Sequence, residues 1–236
     1  MIIAVVVIAL VLLVLGLAAA LADRVCVGLA ERRASEYLSE PFGRPPTVRV
    51  HGTPFLTQVL RGCYTEIEVS GAGLQLGEIR GATLNAHLFD VVLPPRDLLG
   101  GRTNSLPCAH VDGRIVLPYT EVARISPIPG LTLNFEKQRL VATAALPVPG
   151  VSQLARVSGE ARLTVTAGAV WLRVRGISVA GISLPSLVLK QLVPSLTVPV
   201  PLPALPYGLR LTELKPTADG LLVCAAADDV VFTGAP

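Results

Sequence analysis

Hydrophobic and polar residues follow three successive patterns along the chain. Residues 2–22 are apolar and carry no charge. In residues 23–40 the apolar positions recur about every four residues, which predicts a helix that ends before the PFGRPP stretch. Beyond residue 46 the pattern changes to a period of two, which is typical of strands with one wet face. The chain is therefore predicted to begin with helices and to continue as a β-rich domain.

The period-two segments are rich in β-branched residues, and most are separated by Gly, Pro, Asn or Asp. They are TVRVHG, CYTEIEVSG, ATLNAHLFDVVLP, GRIVLP, LTLNFEKQRLVATAALPVPG, EARLTVTAG, AVWLRVRGISVAG and GLLVCAAADDVVF. Two helical pieces interrupt them: PYTEVARIS after Pro118, and LPSLVLKQLVPSL from Leu184. The predicted fold class is α+β, with long antiparallel strands around one or two helices.

The uncharged N-terminal segment is long enough to cross a membrane, since about 20 apolar residues span a hydrocarbon core. One interpretation is a signal peptide cut after Ala20-Leu21-Ala22, a small-x-small triplet. The other is an N-terminal anchor, which the length of the apolar run favours. The predicted organisation is residues 1–22 as signal peptide or anchor, and residues 23–236 as one domain.

Prolines at 199, 201 and 203 are two residues apart in the segment VPVPLPALPYGL. In an extended chain they remove every N–H from one edge, whereas the N–H groups of Val200 and Leu202 face the other edge. This predicts an edge strand that pairs on one side only. A polyproline II ligand for another domain is the alternative.

The four cysteines contain no C-x-x-C pair, so a zinc site is not predicted. An even number beyond an export-like segment suits an oxidising compartment. We predict a disulfide between Cys63 and Cys108, which lie near the starts of predicted strands, with Cys26 either paired to Cys224 or unpaired. Four buried thiols are the alternative.

Charge and motifs exclude several functions. The net charge is +3 and no dense basic run is present, so nucleic acid is not a predicted partner. The G-x-S-x-G, G-x-G-x-x-G, P-loop and H-E-x-x-H patterns are missing. Ser105, His110 and Asp112 form a triplet of a kind that arises often by chance. No enzyme, cofactor or metal is predicted, and a glycan-active enzyme is the least favoured alternative.

The chain is 51% hydrophobic but only 4% aromatic, so its apolar surfaces are aliphatic. An aliphatic groove with few polar groups suits acyl chains. The predicted lining comes from two segments, and the alternative is an ordinary core at these positions. The lining residues are Phe55, Leu56, Val59, Leu60, Leu189, Leu192 and Val193.

Several segments together resemble one family: PFLTQVLRGCYTEIEVSG, GATLNAHLFDVVLPPRDLL, GRIVLPYTEVARIS, LPVPGVSQLARVSGEA and VPLPALPYGLRL. This is the actinobacterial DUF2993 family of LmeA-type phospholipid-binding proteins, which includes a lipomannan elongation factor. The resemblance covers nearly the whole chain beyond the N-terminal segment. With such a protein in view, PFLTQVL is expected to form an apolar turn or short helix that lines or closes the lipid groove, and Glu66 and Glu68 of CYTEIEV are expected to face water.

The resemblance implies a fold similar to the tubular, BPI-like (TULIP) lipid-binding proteins. It implies an exported or membrane-anchored protein of the periplasm or cell envelope that binds phospholipid and supports elongation of mannan. Implied partners are phospholipid, the inner membrane through residues 1–22 if uncleaved, and envelope glycosyltransferases. An envelope interaction module that binds a protein through the proline-rich edge is the second functional interpretation.

Overall fold

The structure is a computed structural model, and four helices lie wholly within the part of the chain that it describes. They are α1 (Ile2–Tyr37), α2 (Ser39–Phe42), α3 (Phe55–Arg61) and α4 (Tyr119–Ile125). The described residues are 2–96, 105–126, 128, 130–147, 154–166, 169–179, 182–183, 197–200 and 208–233. The predicted helix at 184–196 lies outside them, whereas the predicted two-turn helix after Pro118 is confirmed as α4.

Within the described residues, twelve strands, most of them antiparallel, form two sheets and confirm the predicted β-rich α+β class. They are β1 (Thr47–His51), β2 (Cys63–Leu76), β3 (Ile79–Val92), β4 (Ser105–Leu117), β5 (Thr132–Glu136), β6 (Arg139–Pro147), β7 (Leu154–Thr166), β8 (Ala169–Val179), β9 (Ile182–Ser183), β10 (Thr197–Val200), β11 (Arg210–Pro216) and β12 (Leu221–Thr233). The first sheet has the order β1-β2-β3-β4-β12-β11. The second has the order β10-β8-β7-β6-β5, with β9 also paired to β8.

The chain forms two compact units. The first, called the N-terminal unit, comprises residues 1–71, 85–112 and 228–236, and the second comprises residues 72–84 and 113–227. The long strands β2, β3, β4 and β12 each have residues in both units, so no linker separates them in the sequence. The single domain predicted for residues 23–236 stays a prediction.

Helix α1 covers the edge of the first sheet in the N-terminal unit. Strand β1 ends that sheet, and its Val50 N–H donates to Glu31 Oε1 on α1 at 2.8 Å. Ser35 Oγ donates to the Pro46 carbonyl beside the start of β1. These contacts satisfy polar groups at a sheet edge that would otherwise be open to pairing. The apolar segment and the predicted helix that follows it form one helix, which ends at Tyr37 and not at Glu40.

The second unit has one aliphatic core to which strands of both sheets contribute. Leu140 and Leu221 are 1% and 0% exposed, and Leu117 and Leu133 are also buried. Val122 of α4 packs into the same cluster. Aliphatic residues therefore build this core, in agreement with the low aromatic content of the chain.

The observed strands differ from the predicted segments in extent, in division and in number. Strand β4, for example, begins at Ser105, whereas the predicted segment GRIVLP begins at Gly113. The segment from Leu131 to Gly150 is divided into β5 and β6 by a turn at Lys137 and Gln138, whose φ angles are 50° and 64°. Hairpin turns of this kind usually carry Asn and Gly, so Lys and Gln at these positions give no turn signal. Strand β11 was not predicted, because RLTELKP is short and gains its strand structure by pairing with β12.

The predicted edge strand is confirmed for the residues that the structure describes. Strand β10 lies at the end of the second sheet, and Pro199 is aligned with Trp171 of β8. Pro201, Leu202 and Pro203 lie outside the described residues.

The predicted disulfide between Cys63 and Cys108 is not formed, and none of the four cysteines is bridged. Cys63 is exposed at the start of β2, whereas Cys108 is buried in β4 with its Sγ 3.6 Å from the Val230 carbonyl. The physical reason is the strand order, because β3 lies between β2 and β4. Strands about 4.8 Å apart place β2 and β4 roughly 10 Å from each other. A disulfide requires Cα atoms within about 7 Å.

Candidate lipid-binding site

Helix α3, predicted as an apolar turn or short helix, is held at both ends. It begins after Pro54, which supplies no side-chain cap. The cap comes from Asp23 of α1, whose Oδ2 and Oδ1 accept from the N–H groups of Phe55 and Leu56 at 3.0 and 2.7 Å. At the other end Gly62 adopts a φ of 67°, which suits glycine and turns the chain into β2.

Gln58 fixes α3 against the neighbouring strands. This side chain is only 9% exposed. Its Nε2 donates to the carbonyls of His51 and Gly52 at 3.2 and 2.9 Å, and its Oε1 accepts from Thr65 N–H at 3.0 Å. The buried amide is therefore satisfied, and it connects α3 to the end of β1 and the start of β2.

The predicted lining residues on α3 lie in different environments. Phe55 is 5% exposed, and its ring centroid lies 6.2 Å from that of Tyr64. Val59 is half-buried. Leu56 and Leu60 are 37% and 79% exposed. The partners predicted on the opposite side, Leu189, Leu192 and Val193, lie outside the described residues. A lipid that approaches α3 from solvent therefore meets Leu56 and Leu60 first.

The first sheet has an aliphatic face in the N-terminal unit. Val48 is aligned with Val69, and Val50 with Ile67. On β3, Asn85 and His87 contact the glutamates on the opposite side of the sheet. Because residues of a strand alternate between its two faces, Ala86 and Leu88 belong to the same face as these valines and Ile67. Val48 is buried, whereas the other five side chains are only half-buried. We call these six residues the aliphatic face.

Sequence reasoning did not assign these six residues to a site. The signal that could have found them is the alternation in TVRVHG and CYTEIEVSG, which marks one apolar face on each strand. That pattern predicts an ordinary core equally well, and only the partial exposure of these side chains distinguishes the two cases.

The opposite face of the same strands is polar. Glu66 and Glu68 were predicted to face water, and each is paired with a histidine instead. His51 Nε2 lies 3.1 Å from Glu68 Oε2, and His87 Nδ1 lies 2.8 Å from Glu66 Oε1. The hydrogen bond from His51 lowers the pKa of Glu68, burial opposes this, and the charges of His87 and Arg49 add to the lowering.

The third histidine continues this row. The ring of Phe89 lies 6.3 Å from that of His87 and 6.0 Å from that of His110. His110 Nδ1 lies 2.6 Å from Asp228 Oδ1. The imidazole is therefore paired with Asp228 and not with Asp112, the acid of the chance triplet. Within the described residues no group of three or more His, Cys, Asp or Glu side chains could hold a metal ion.

The second unit contains a cavity of about 520 Å³ beside α4 and β5. Its apolar part is formed by Ile128, Leu131 and Leu133, and its remaining walls are largely polar. Arg124 at this cavity donates to Glu121 Oε2 at 2.8 Å and to the Glu78 carbonyl at 2.6 Å. The hydrogen bond from Arg124 lowers the pKa of Glu121. Because this cation is already paired, the cavity is a weaker candidate for phospholipid than the aliphatic face.

One helix in the described part of the chain is long and apolar enough to cross a membrane, at Leu10–Tyr37. No curated protein and no solved structure matches the chain. The likeness to BPI-like proteins therefore stays a prediction. The model of the LmeA-like phospholipid-binding family matches residues 21–226, which is most of the chain. The chain belongs to the LmeA-like phospholipid-binding family.

Proposed function

We propose that the protein is a non-catalytic phospholipid-binding protein of the cell envelope, and that it holds acyl chains against the aliphatic face. The observation that carries this proposal is the family match over residues 21–226. The structure supplies a surface of suitable chemistry, since branched aliphatic side chains on three neighbouring strands are left half-buried.

The physical reason lies in how acyl chains bind. Each methylene group removed from water contributes roughly 0.8 kcal/mol. Val50, Ile67 and Val69 offer such contacts and carry no polar atom on their side chains. The proposed route to this face passes α3, where Leu56 and Leu60 are exposed. Phe55, Val59, Leu189, Leu192 and Val193 remain part of the proposed lining.

The cellular role proposed here follows from the resemblance. We place the protein in the periplasm or cell envelope, anchored through residues 1–22. There a bound phospholipid would support elongation of the mannan of lipomannan and related lipoglycans. Envelope glycosyltransferases are the proposed protein partners. Release of the lipid during mannan elongation would identify it as cargo, whereas a lipid that stays bound would be a regulator.

The second interpretation, a module that binds a protein through the proline-rich edge, has less support. Strand β10 uses one edge to pair with β8. Proline gives the other edge no N–H at position 199, so a partner strand would find a poor template there.

The lipid proposal is tested with a phospholipid that carries a diazirine in its acyl chain. The full chain is reconstituted with this lipid, illuminated and digested, and the cross-linked residues are identified by mass spectrometry. Cross-links within residues 1–22 are expected from the anchor and do not count. Cross-links at Ile67, Val69 or Leu88 support the proposal, whereas cross-links confined to the anchor contradict it.

Adjacent residues of β2 provide a matched pair of variants. Val69 belongs to the aliphatic face and Ser70 to the opposite face, and both are half-buried. An aspartate at position 69 places a carboxylate against the acyl chain, which costs several kcal/mol unless the chain leaves. We therefore expect Val69→Asp to reduce cross-linking at least tenfold and Ser70→Asp to leave it within twofold. Thermal melting of both variants shows whether the fold survives, and equal losses would contradict the assignment of the face.

A further inference from the structure

Beyond α1, the described part of the chain exposes large hydrophobic side chains at only a few places. Among the residues whose side chains the structure describes, they are Leu56, Leu60, Val92 and Val231, with exposures of 37%, 79%, 40% and 47%. All four belong to the N-terminal unit. The described side chains of the second unit contribute none. A gathering of exposed apolar side chains in one region marks an interaction surface.

The strand ends bring α3 and Val92 together. Helix α3 leads through Gly62 directly into the start of β2. Val92 is the last residue of β3, and the next residue, Leu93, donates its N–H to the Gly62 carbonyl at 2.8 Å. Leu56 and Leu60 on α3 therefore share one end of the sheet with Val92.

Val231 lies at the same end of the sheet, as the contacts of β4 with β12 and with β3 indicate. Residues 108 and 110 of β4 contact residues 230 and 228 of β12, a spacing that requires antiparallel strands. Strand β3 lies beside β4, and Phe89 contacts His110. The end of β12, the start of β4 and the end of β3 therefore coincide. We call the four exposed residues at this end the apolar tip.

The apolar tip also lies next to the boundary of the apolar segment. Residues 2–22 of α1 carry no charge. At 1.5 Å per residue they extend roughly 30 Å, the thickness of a hydrocarbon core. Asp23 is the first charged residue, and its carboxylate caps α3. With α1 across a bilayer, Asp23 and the first turn of α3 lie at the membrane surface.

The charges around this end fit a phospholipid surface. Arg24, Arg61 and Arg96 are exposed on α1, on α3 and just after β3. Arginine side chains close to a membrane surface are attracted to anionic phospholipid headgroups. The exposed acids Asp90 and Asp229 precede Val92 and Val231 by two residues in their strands. They therefore lie further from the strand ends than these two valines.

We propose that the apolar tip docks on the phospholipid bilayer that holds α1. The anchor keeps the tip close to the bilayer, so even weak insertion of Leu56 and Leu60 is effective. The proposal rests on the proposed function, because it names the bilayer as the source with which bound phospholipid exchanges. Docking in this position places α3, where the proposed route to the aliphatic face begins, against the lipid headgroups.

The test uses tryptophan fluorescence of the full chain in proteoliposomes that contain brominated phospholipids. The native tryptophan is removed by Trp171→Phe, and a reporter is introduced by Leu60→Trp or Val231→Trp. Bromine quenches tryptophan only at close range. We expect at least half of the emission to be lost for both reporters, with quenching that rises with the fraction of brominated lipid.

Glu36→Trp is the matched control. Glu36 is exposed on the same helix. It lies 13 residues beyond Asp23, about 20 Å along the axis. Quenching at position 36 should stay below one tenth. Equal emission with and without brominated lipid at positions 60 and 231 would overturn the docking. A second copy of the chain that covers the apolar tip would give this result, because it would shield both tryptophans from bromine.

Two readouts separate this inference from the proposed function. Acyl cross-links on the aliphatic face without quenching at position 60 overturn the docking and leave lipid binding intact. Quenching at positions 60 and 231 without those cross-links supports docking and removes the acyl site. A single lipid bound beside α3 would quench position 60 but not position 231, and that result also overturns the docking.

Discussion

Asp23 Oδ1 accepts a hydrogen bond from the backbone N–H of Leu56 at 2.7 Å, although the two residues are 33 positions apart in the sequence. Asp23 is the first charged residue after the apolar segment. The contact therefore connects the part of the chain that can enter a membrane with the helix that carries exposed Leu60. It also supplies a cap that Pro54 cannot provide.

Asp23→Ala should destabilise α3 by about 1 kcal/mol, because loss of a capping side chain typically costs 0.5–2 kcal/mol. Asp23→Asn keeps an acceptor oxygen and should recover part of this loss. Hydrogen exchange of the Phe55 and Leu56 amides in the full chain measures the effect. Equal protection of these amides in the native protein and in Asp23→Ala would show that the cap does not stabilise α3.

The contrast between local and distant contacts explains what the sequence could predict. The period-two pattern is local, so it predicted β1 and most of β2 and β3. The apolar run PFLTQVL likewise predicted a turn or short helix, which is confirmed as α3. The cap on this helix could not be predicted, because Asp23 precedes it by more than 30 residues and no local pattern connects them.

The same limit applies to the polar pairs and to the cysteines. His110 pairs with Asp228 across 118 residues, and only the strand order brings them together. The Cys63–Cys108 disulfide was predicted from the positions of two predicted strand starts. That reasoning failed because β3 lies between the two strands that carry these cysteines. The sequence predicted β3 as a strand but did not predict its place in the sheet.

Glu68 should make stability depend on pH in the acidic range. Its folded-state pKa is lowered below the ordinary value of 4.5, first by the hydrogen bond from His51. A lowered pKa stabilises the fold above the unfolded-state pKa, and this stabilisation is lost as pH falls through the folded-state value. We expect Glu68→Gln to be less stable than the native protein at pH 5, by up to about 1 kcal/mol. The difference should disappear towards pH 3.

Denaturant midpoints of the full chain in detergent, measured from pH 5 to pH 3, test this prediction. His51→Gln removes the first cause of the lowered pKa and should reproduce most of the effect. A stability difference that stays constant over this range would contradict the link to ionisation of Glu68.

Gly220 occupies a position that other residues cannot share. Its φ is 150°, and a Cβ there would collide with the Leu117 carbonyl oxygen. Gly220→Ala should therefore destabilise the second unit by more than about 2 kcal/mol, from backbone strain plus the steric clash. Gly77 has a φ of 59°, but a Cβ at this position would meet no atom within 4 Å, so Gly77→Ala should cost less. Melting temperatures of both variants decide this, and equal shifts would show that the clash at Gly220 has no effect on stability.

Thiol reactivity should distinguish Cys63 from Cys108. Cys63 is exposed, whereas burial raises the pKa of the Cys108 thiol. The thiolate is the reactive form, so Cys108 should react slowly. We expect maleimide to label Cys63 at least tenfold faster than Cys108, as followed by peptide mapping. Cys63→Ser should remove the fast label, and a peptide that links Cys63 to Cys108 without reductant would contradict the unbridged structure.

Pro199 should protect the edge of the second sheet from pairing with other chains. It lies opposite Trp171 in an antiparallel pair, and without an N–H it fits only a position that does not donate to β8. Pro199→Thr restores an N–H on the outward side and raises β-propensity, so the edge becomes a better template for another strand. Val198→Thr is the control, because its N–H faces β8. We expect concentration-dependent association in detergent, measured by light scattering, for Pro199→Thr alone. Association of both variants, or of neither, would show that the proline does not guard this edge.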